Sequence, residues 1–237
     1  MMNQTGRPFR GVPSDERQAQ RRRQLVEAGL DAFGTRGFHL TGVRDVCAAA
    51  RLTERYFYES FKNREALFLA VYEAAVERMR GAVTRALEGA GGRPIEVARA
   101  SLTAMLTTYR EDPRLARILL VEVLAVGREV GDAQQAVSAS FAEMIAGVTQ
   151  GLFPEMVDHG LEPRLVGNAL YGSTLYVSMQ WASGGFREPQ EQILAHCLLV
   201  FDALIAEMRR RGRSRSKAPT KSKNEKPTRP KKSKRDT

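Results

Sequence analysis

Apolar residues recur along this chain at three- and four-residue steps, and no stretch shows sustained strand-like alternation. In the first such run, about 16–35, Leu25, Val26, Gly29, Leu30 and Phe33 share one helical face, and Gly34 and Gly37 punctuate its end. Thr41 is placed to cap a short second helix that turns Val43, Val46, Cys47 and Ala50 inward, because its hydroxyl can satisfy an orphan backbone N–H. Arg51-Leu52 makes a tight turn, Thr53 caps a third helix, and Asn63 caps a long fourth helix from about Arg64 to Leu87, stopped by Gly89, Gly91 and Gly92. The same pattern predicts further helices over 94–110, 113–126, 132–152, 163–182 and 189–210, several with proline in the first turn. The 113–126 segment is apolar on most sides and reads as buried. The expected fold class is all-α.

Composition sharpens this picture. The 237 residues are 43% hydrophobic, enough to bury a core. Leu115 to Val126, the longest apolar stretch, is broken by Arg117 and Glu122 and is too short to span a bilayer. The start carries no secretory pattern, and Cys47 and Cys197 imply neither a metal site nor a disulfide framework, so the expected setting is the cytoplasm, close to the nucleoid, with no membrane partner and no cofactor. The net charge of +10 is uneven: 14 Lys/Arg against 10 Asp/Glu over 1–80, 9 against 15 over 81–208, and 14 against 2 over 209–237. A basic front and a very basic end point to an anionic partner, nucleic acid first of all. Residues 1–15 read as a flexible arm. Residues 212–237, Lys, Arg, Ser, Pro and Thr with no large apolar residue, read as a disordered basic tail.

Two short helices joined by a tight turn and braced by a preceding helix describe a helix-turn-helix over 16–64. Such a unit must show side chains to the major groove while its back packs on its partners. The third helix fits: Phe57 and Phe61 can share the buried face with Leu52, leaving Glu54, Arg55, Tyr56 and Tyr58 outward. Arg55 can pair with guanine edges and Glu54 can accept from cytosine, while Tyr56 and Tyr58 can donate to phosphates. The same aromatics also suit a simple core.

The run from Arg23 to Tyr72, with AFGTRGF, TGVRDV, the aromatic YFY and NREAL in order, resembles the N-terminal domain of tetracycline-repressor-type (TetR family) regulators. The resemblance implies an N-terminal three-helix helix-turn-helix DNA-binding domain and a C-terminal helical ligand-binding and dimerisation domain over 65–211. It places Thr41 and Arg44 where the second helix meets the DNA backbone, and Thr53, Glu54, Arg55 and Tyr56 at the reading end of the recognition helix. Tyr58 takes a phosphate-contacting position, with Lys62 and Arg64 at the phosphate-favouring start of the fourth helix. Two departures stand out: Arg51 replaces the turn glycine common in the family, and Tyr56-Phe57-Tyr58 replaces the more usual Thr-Leu-Tyr.

In the second half, Met105, Tyr109, Phe141, Met144, Tyr176, Met179, Gln180 and Trp181 are candidates to line an effector pocket, although a Met or aromatic at helical spacing is more often plain core. Gly172, Leu175 and Met179, with Leu199, Val200, Ala203 and Leu204, form apolar faces for a homodimer or for packing within one subunit. The implied function is a ligand-responsive regulator, a repressor acting as a dimer on a palindromic double-stranded DNA operator with an unidentified small-molecule effector. The rival is an architectural, weakly specific DNA-binding protein gripping through its tail. An enzyme finds no support, since the sequence holds no Gly-rich phosphate loop, metal-ligand spacing or nucleophile motif.

Overall fold

The computed structural model describes residues 14–216, and every regular element within them is helical. Helices α1 (Ser14–Arg36), α2 (Val43–Ala50) and α3 (Glu54–Ser60) precede α4 (Arg64–Glu88). Then follow α5 (Pro94–Glu111), α6 (Pro113–Leu120), α7 (Arg128–Leu152), α8 (Pro163–Ser183) and α9 (Gln190–Ser216), with 3-10 turns at Glu122–Leu124 and Pro154–His159. The expected arm, up to residue 13, and the tail from 217 onward lie outside the described residues. Residues 212–216, expected in the tail, belong to α9.

Asn63 caps α4 as the sequence predicts, its Oδ1 accepting from the Ala66 N–H at 2.8 Å. Thr41 does not cap α2. Gly42 takes that position, and Asp45 accepts the Gly42 N–H at 2.7 Å. The Thr41 hydroxyl is turned inward instead, donating to the Gly37 carbonyl at 2.8 Å. Arg51 ends α2 in the left-handed region at φ 55°, where a β-carbon crowds the following carbonyl.

The first core closes around Phe33, Phe38, Phe57 and Phe68, all within 2% of full burial. Phe33, Phe38 and Phe68 meet in tilted and edge-on pairs at 5.4–5.5 Å, arrangements that add roughly 0.5–1.5 kcal/mol each beyond area burial. Leu115, Ile118 and Val123 of the following segment complete the same cluster, so the N-terminal unit and the helical body share a core. An ideal β-carbon at Gly34 would stand 2.5 Å from the Arg114 Cβ, so glycine is what lets α1 lie against α6.

The segment expected as one helix over 113–126 is broken. Helix α6 stops at Leu120, Val121 adopts φ −120°, ψ −64°, and the chain turns back through Glu122–Leu124. That break aims the Glu122 carboxylate at the start of the α1–α2 turn. Gly127, at φ 132°, then reverses the chain and lets α7 begin at Arg128, earlier than the 132 expected from sequence.

Candidate nucleic-acid interface and core cavity

Helix α3 is short and two-faced. Phe57 is fully buried and Phe61 nearly so, and the two rings pack at 5.9 Å. Opposite them, Thr53, Glu54, Arg55 and Tyr58 are exposed, Tyr58 to 59%. Arg55 reaches along the helix to Glu59 at 3.0 Å and keeps 84% of its side chain in solvent. Arg44 of α2, 89% exposed, pairs with Glu54 at 3.0 Å. Exposed pairs of this kind hold little energy, so both arginines are free to exchange partners. Tyr56 is half-buried, with the Arg21 guanidinium 4.5 Å above its ring. Lys62 is exposed and lies 3.3 Å from Glu129 at the start of α7.

Behind this head lies a cavity of about 220 Å³. Helix α4 lines it with Tyr72, Val76, Met79, Val83 and Leu87, a single face at three- and four-residue steps. Over the 15 residue steps from Tyr72 to Leu87 that wall is about 22 Å long at 1.5 Å per step. Met105 and Tyr109 of α5, Phe141 and Met144 of α7, Tyr171 and Leu175 of α8, and Leu204 of α9 close the other sides. No charged side chain lines it among the described residues. Burial pushes the Tyr72, Tyr109 and Tyr171 hydroxyls above the ordinary phenol range.

Residues 25–71 match the bacterial regulatory proteins of the tetR family. The match takes in the second half of α1, all of α2 and α3, and the start of α4. The HTH-type transcriptional repressor DhaR of Mycobacterium sp. (strain GP1) is 24% identical over 185 residues, spanning 78% of this chain and 92% of that protein. The HTH-type transcriptional activator FasR of Mycolicibacterium smegmatis is 32% identical over 76 residues, a third of each chain. The fold superposes on FadR from Bacillus subtilis in complex with stearoyl-CoA at a TM-score of 0.61 and 16% identity, over 75% of this chain and 96% of that one. A TetR-like transcriptional regulator from Rhodococcus sp. RHA1 gives 0.60 at 22% identity, over 82% and 99%.

The structure departs from the sequence-based site assignments at named positions. Thr41 has no exposed surface and its hydroxyl is spent on the Gly37 carbonyl, so its side chain does not face a DNA backbone. Arg64 also turns inward. Its guanidinium donates to the Phe38 and Thr41 carbonyls at 3.2 and 2.8 Å and lies 4.2 Å over the Phe38 ring, pinning the α1–α2 turn. Of the pocket candidates, Met105, Tyr109, Phe141 and Met144 line the cavity, while Tyr176, Met179, Gln180 and Trp181 do not. Trp181 is buried elsewhere, its indole N–H donating to the Glu188 carbonyl at 2.9 Å. Gln180 is exposed. Tyr176, 60% exposed, borders a separate outer hollow with Met179 and Gly172. Among the dimer candidates, Leu175, Met179 and Leu204 pack inward, whereas Gly172, Leu199, Val200 and Ala203 face out. Sequence reasoning missed Tyr72 and Tyr171. The signal for Tyr72 was its place at the head of the apolar stripe of α4.

Proposed function

We propose that the chain is a repressor that works as a two-fold dimer on a palindromic operator and lets go when an elongated, largely apolar effector fills the cavity. The observation that carries this is the pairing of two sites through shared helices. Exposed Thr53, Glu54, Arg55 and Tyr58 stand on a buried Phe57–Phe61 base at one end, and α4 runs from that head into the wall of an apolar cavity at the other. In this reading Arg55 and Glu54 read base edges, while Arg44, Tyr58, Lys62, and the edges of Thr53 and Tyr56, hold phosphates. Repression is favoured by the likeness to the repressor DhaR, and an apolar effector by the likeness to FadR, whose structure holds stearoyl-CoA.

The division that goes with this reading is a reading head from the start of α1 to about residue 64 and an effector and dimerisation body from there to the end of α9, with the basic tail beyond it. Selection of random duplexes by the full chain, followed by a footprint upstream of its own gene, tests the reading. A palindromic motif with half-sites about one helical turn apart supports it. Uniform affinity across sequences overturns it and favours a nonspecific DNA-binding protein gripping through its tail.

A further inference from the structure

The polar inventory of the cavity is small and one-sided. Besides the three tyrosines, its polar lining is Ser101, Thr149 and Thr174. Each of those hydroxyls donates to the carbonyl one turn back in its own helix: Ser101 to Val97 at 2.9 Å, Thr149 to Ile145 at 2.6 Å, Thr174 to Leu170 at 3.0 Å. Their protons are therefore taken. The Tyr171 hydroxyl lies 3.5 Å from the Ser138 Oγ, and its ring stacks on Phe141 at 5.9 Å. Tyr72 and Tyr109, only 3% and 4% exposed, have no hydrogen-bond partner for their hydroxyls among the described residues. Two phenol donors thus border an apolar cavity with no protein acceptor engaged, and both are available to a molecule that enters it.

Their position is specific. Tyr72 is the first cavity residue of α4 and Tyr109 the last of α5. Those two helices pack along one another and are joined by the short turn 89–93, so they run antiparallel. Both phenols therefore sit at the same end of the cavity, the end nearer the reading head, and Tyr109 feels both Tyr72 and Tyr171 electrostatically. The remaining wall, toward Leu87, Pro94 and Phe153, is apolar apart from hydroxyls whose protons are already taken.

We propose that this cavity binds an elongated apolar molecule through one neutral carbonyl oxygen held by the Tyr72 and Tyr109 hydroxyls, an assignment that rests on reading the cavity as the effector site. A carbonyl oxygen has two lone pairs, so one such atom can accept from both phenols at once. A carboxylate fits worse, because no Lys or Arg lines the cavity to offset the loss of its hydration. An alkane fits worse too, because it leaves both phenols unmatched. Ketones, esters and thioesters with a long hydrocarbon arm form the ligand class.

The test uses the full chain and three probes of equal length, 2-tridecanone, laurate and tridecane, titrated calorimetrically near neutral pH. The ketone should bind at least about tenfold more tightly than the other two, the scale of one well-made hydrogen bond. The double variant Tyr72→Phe, Tyr109→Phe removes only unbonded hydroxyls, so it keeps the fold. It should lose about tenfold for the ketone while its affinity for tridecane holds or rises. Laurate binding more tightly than the ketone overturns the assignment, as does a variant with an unchanged ketone-to-alkane ratio. If the ketone and the alkane bind equally, the cavity stands as an effector site and the carbonyl assignment fails. If none of the three binds, the effector site itself fails, and this inference with it.

Discussion

The Glu122 carboxylate accepts the backbone N–H of Phe38 at 2.8 Å, across 84 residues of sequence. The other oxygen of Glu122 accepts from Arg117 Nε at 2.8 Å, and Arg117 also donates to the Thr35 carbonyl at 2.6 Å. Helix α6 and the 3-10 turn after it thus grip the end of α1 and the start of the α1–α2 turn, while Leu119 of α6 touches the cavity. An ideal β-carbon at Gly37, φ 94°, would lie 2.7 Å from the Arg117 guanidinium and 3.0 Å from the Glu122 carboxylate, which is how closely the clamp is fitted. Beside α4, this gives the body a second mechanical hold on the reading head.

Replacing Glu122 with Ala leaves the Phe38 N–H and the Arg117 guanidinium without their buried partner. The expected loss is about 1–3 kcal/mol of stability, the cost of stranding such groups. Thermal unfolding measures the loss, and amide exchange at Phe38 should accelerate more than exchange in α9. A variant with unchanged exchange at Phe38 contradicts the clamp.

Arg51 should be one of the few positions where a glycine stabilises. Its φ of 55° carries the left-handed penalty, about 1–2 kcal/mol for a residue with a β-carbon. Glycine removes that penalty and returns part of the gain as unfolded-state entropy. Urea unfolding of Arg51→Gly should show a net gain of about 0.5–1 kcal/mol; a loss means that the arginine side chain makes a compensating contact.

How far the sequence reached is decided residue by residue. The helical periodicity, the Asn63 cap and the buried Phe57–Phe61 base were readable because each depends on neighbours within one or two turns. Thr41 and Gly42 are adjacent plausible caps, and the choice between them is made by Gly37, whose carbonyl captures the threonine hydroxyl. Arg64 sits where a phosphate contact is natural, but the Phe38 ring and two loop carbonyls hold it inward, a fact of tertiary packing. Tyr176 and Trp181 lie on the same helix as Tyr171 yet face elsewhere. Which face of α8 meets a void depends on how α4, α5, α7 and α9 close around it, and no local pattern encodes that.

Asp112 links α5 to α6 and gives a pH signature. Its carboxylate accepts from the Arg114 guanidinium at 2.8 and 2.9 Å and from the Arg114 N–H at 3.2 Å, with Arg78 at 3.5 Å. The hydrogen bonds from Arg114, chiefly, hold it below the ordinary carboxylate range. A depressed folded-state pKa contributes stability above the unfolded value of about 3.9, and that stability is lost as pH falls through the folded value. Asp112→Asn should therefore melt below the parent at neutral pH, with the gap narrowing below about pH 4. A gap independent of pH means the charge is not what matters.

Arg55 and Arg64 should separate cleanly on mutation. Arg55 is almost fully solvated, so Arg55→Ala should leave the melting temperature nearly unchanged and relax base preference at one or two operator positions, by about 1–3 kcal/mol. Arg64 braces the α1–α2 turn through two carbonyls, so Arg64→Ala should lower stability by about 1–3 kcal/mol and weaken all duplexes alike. Selection sequencing paired with thermal melts measures both; a specificity change at Arg64 with no loss of stability contradicts its bracing role.

The outer faces of α8 and α9 supply the last expectation. Leu165, Ala169, Gly172 and Tyr176 follow one another at four-, three- and four-residue steps along α8, all exposed, and Leu199, Val200 and Ala203 are exposed on α9. Leu165, Tyr176 and Leu199 are 60%, 60% and 65% accessible, a clustering of large apolar groups beyond the scattered exposure of a monomer surface. An ideal β-carbon at Gly172 meets nothing within 4 Å in this chain, so glycine there is not required by the subunit's own packing. A two-fold partner packing α8 and α9 against their copies covers these residues and sets two α3 helices about 34–36 Å apart, one turn of DNA. Sedimentation should find a dimer at micromolar concentration. Gly172→Leu, which fits freely within one subunit, should yield a well-folded monomer with little operator affinity, and Leu199→Glu should do the same by placing a charge in the seam. A monomeric parent with and without DNA removes the two-fold reading. A Gly172→Leu variant that stays dimeric moves the interface off α8.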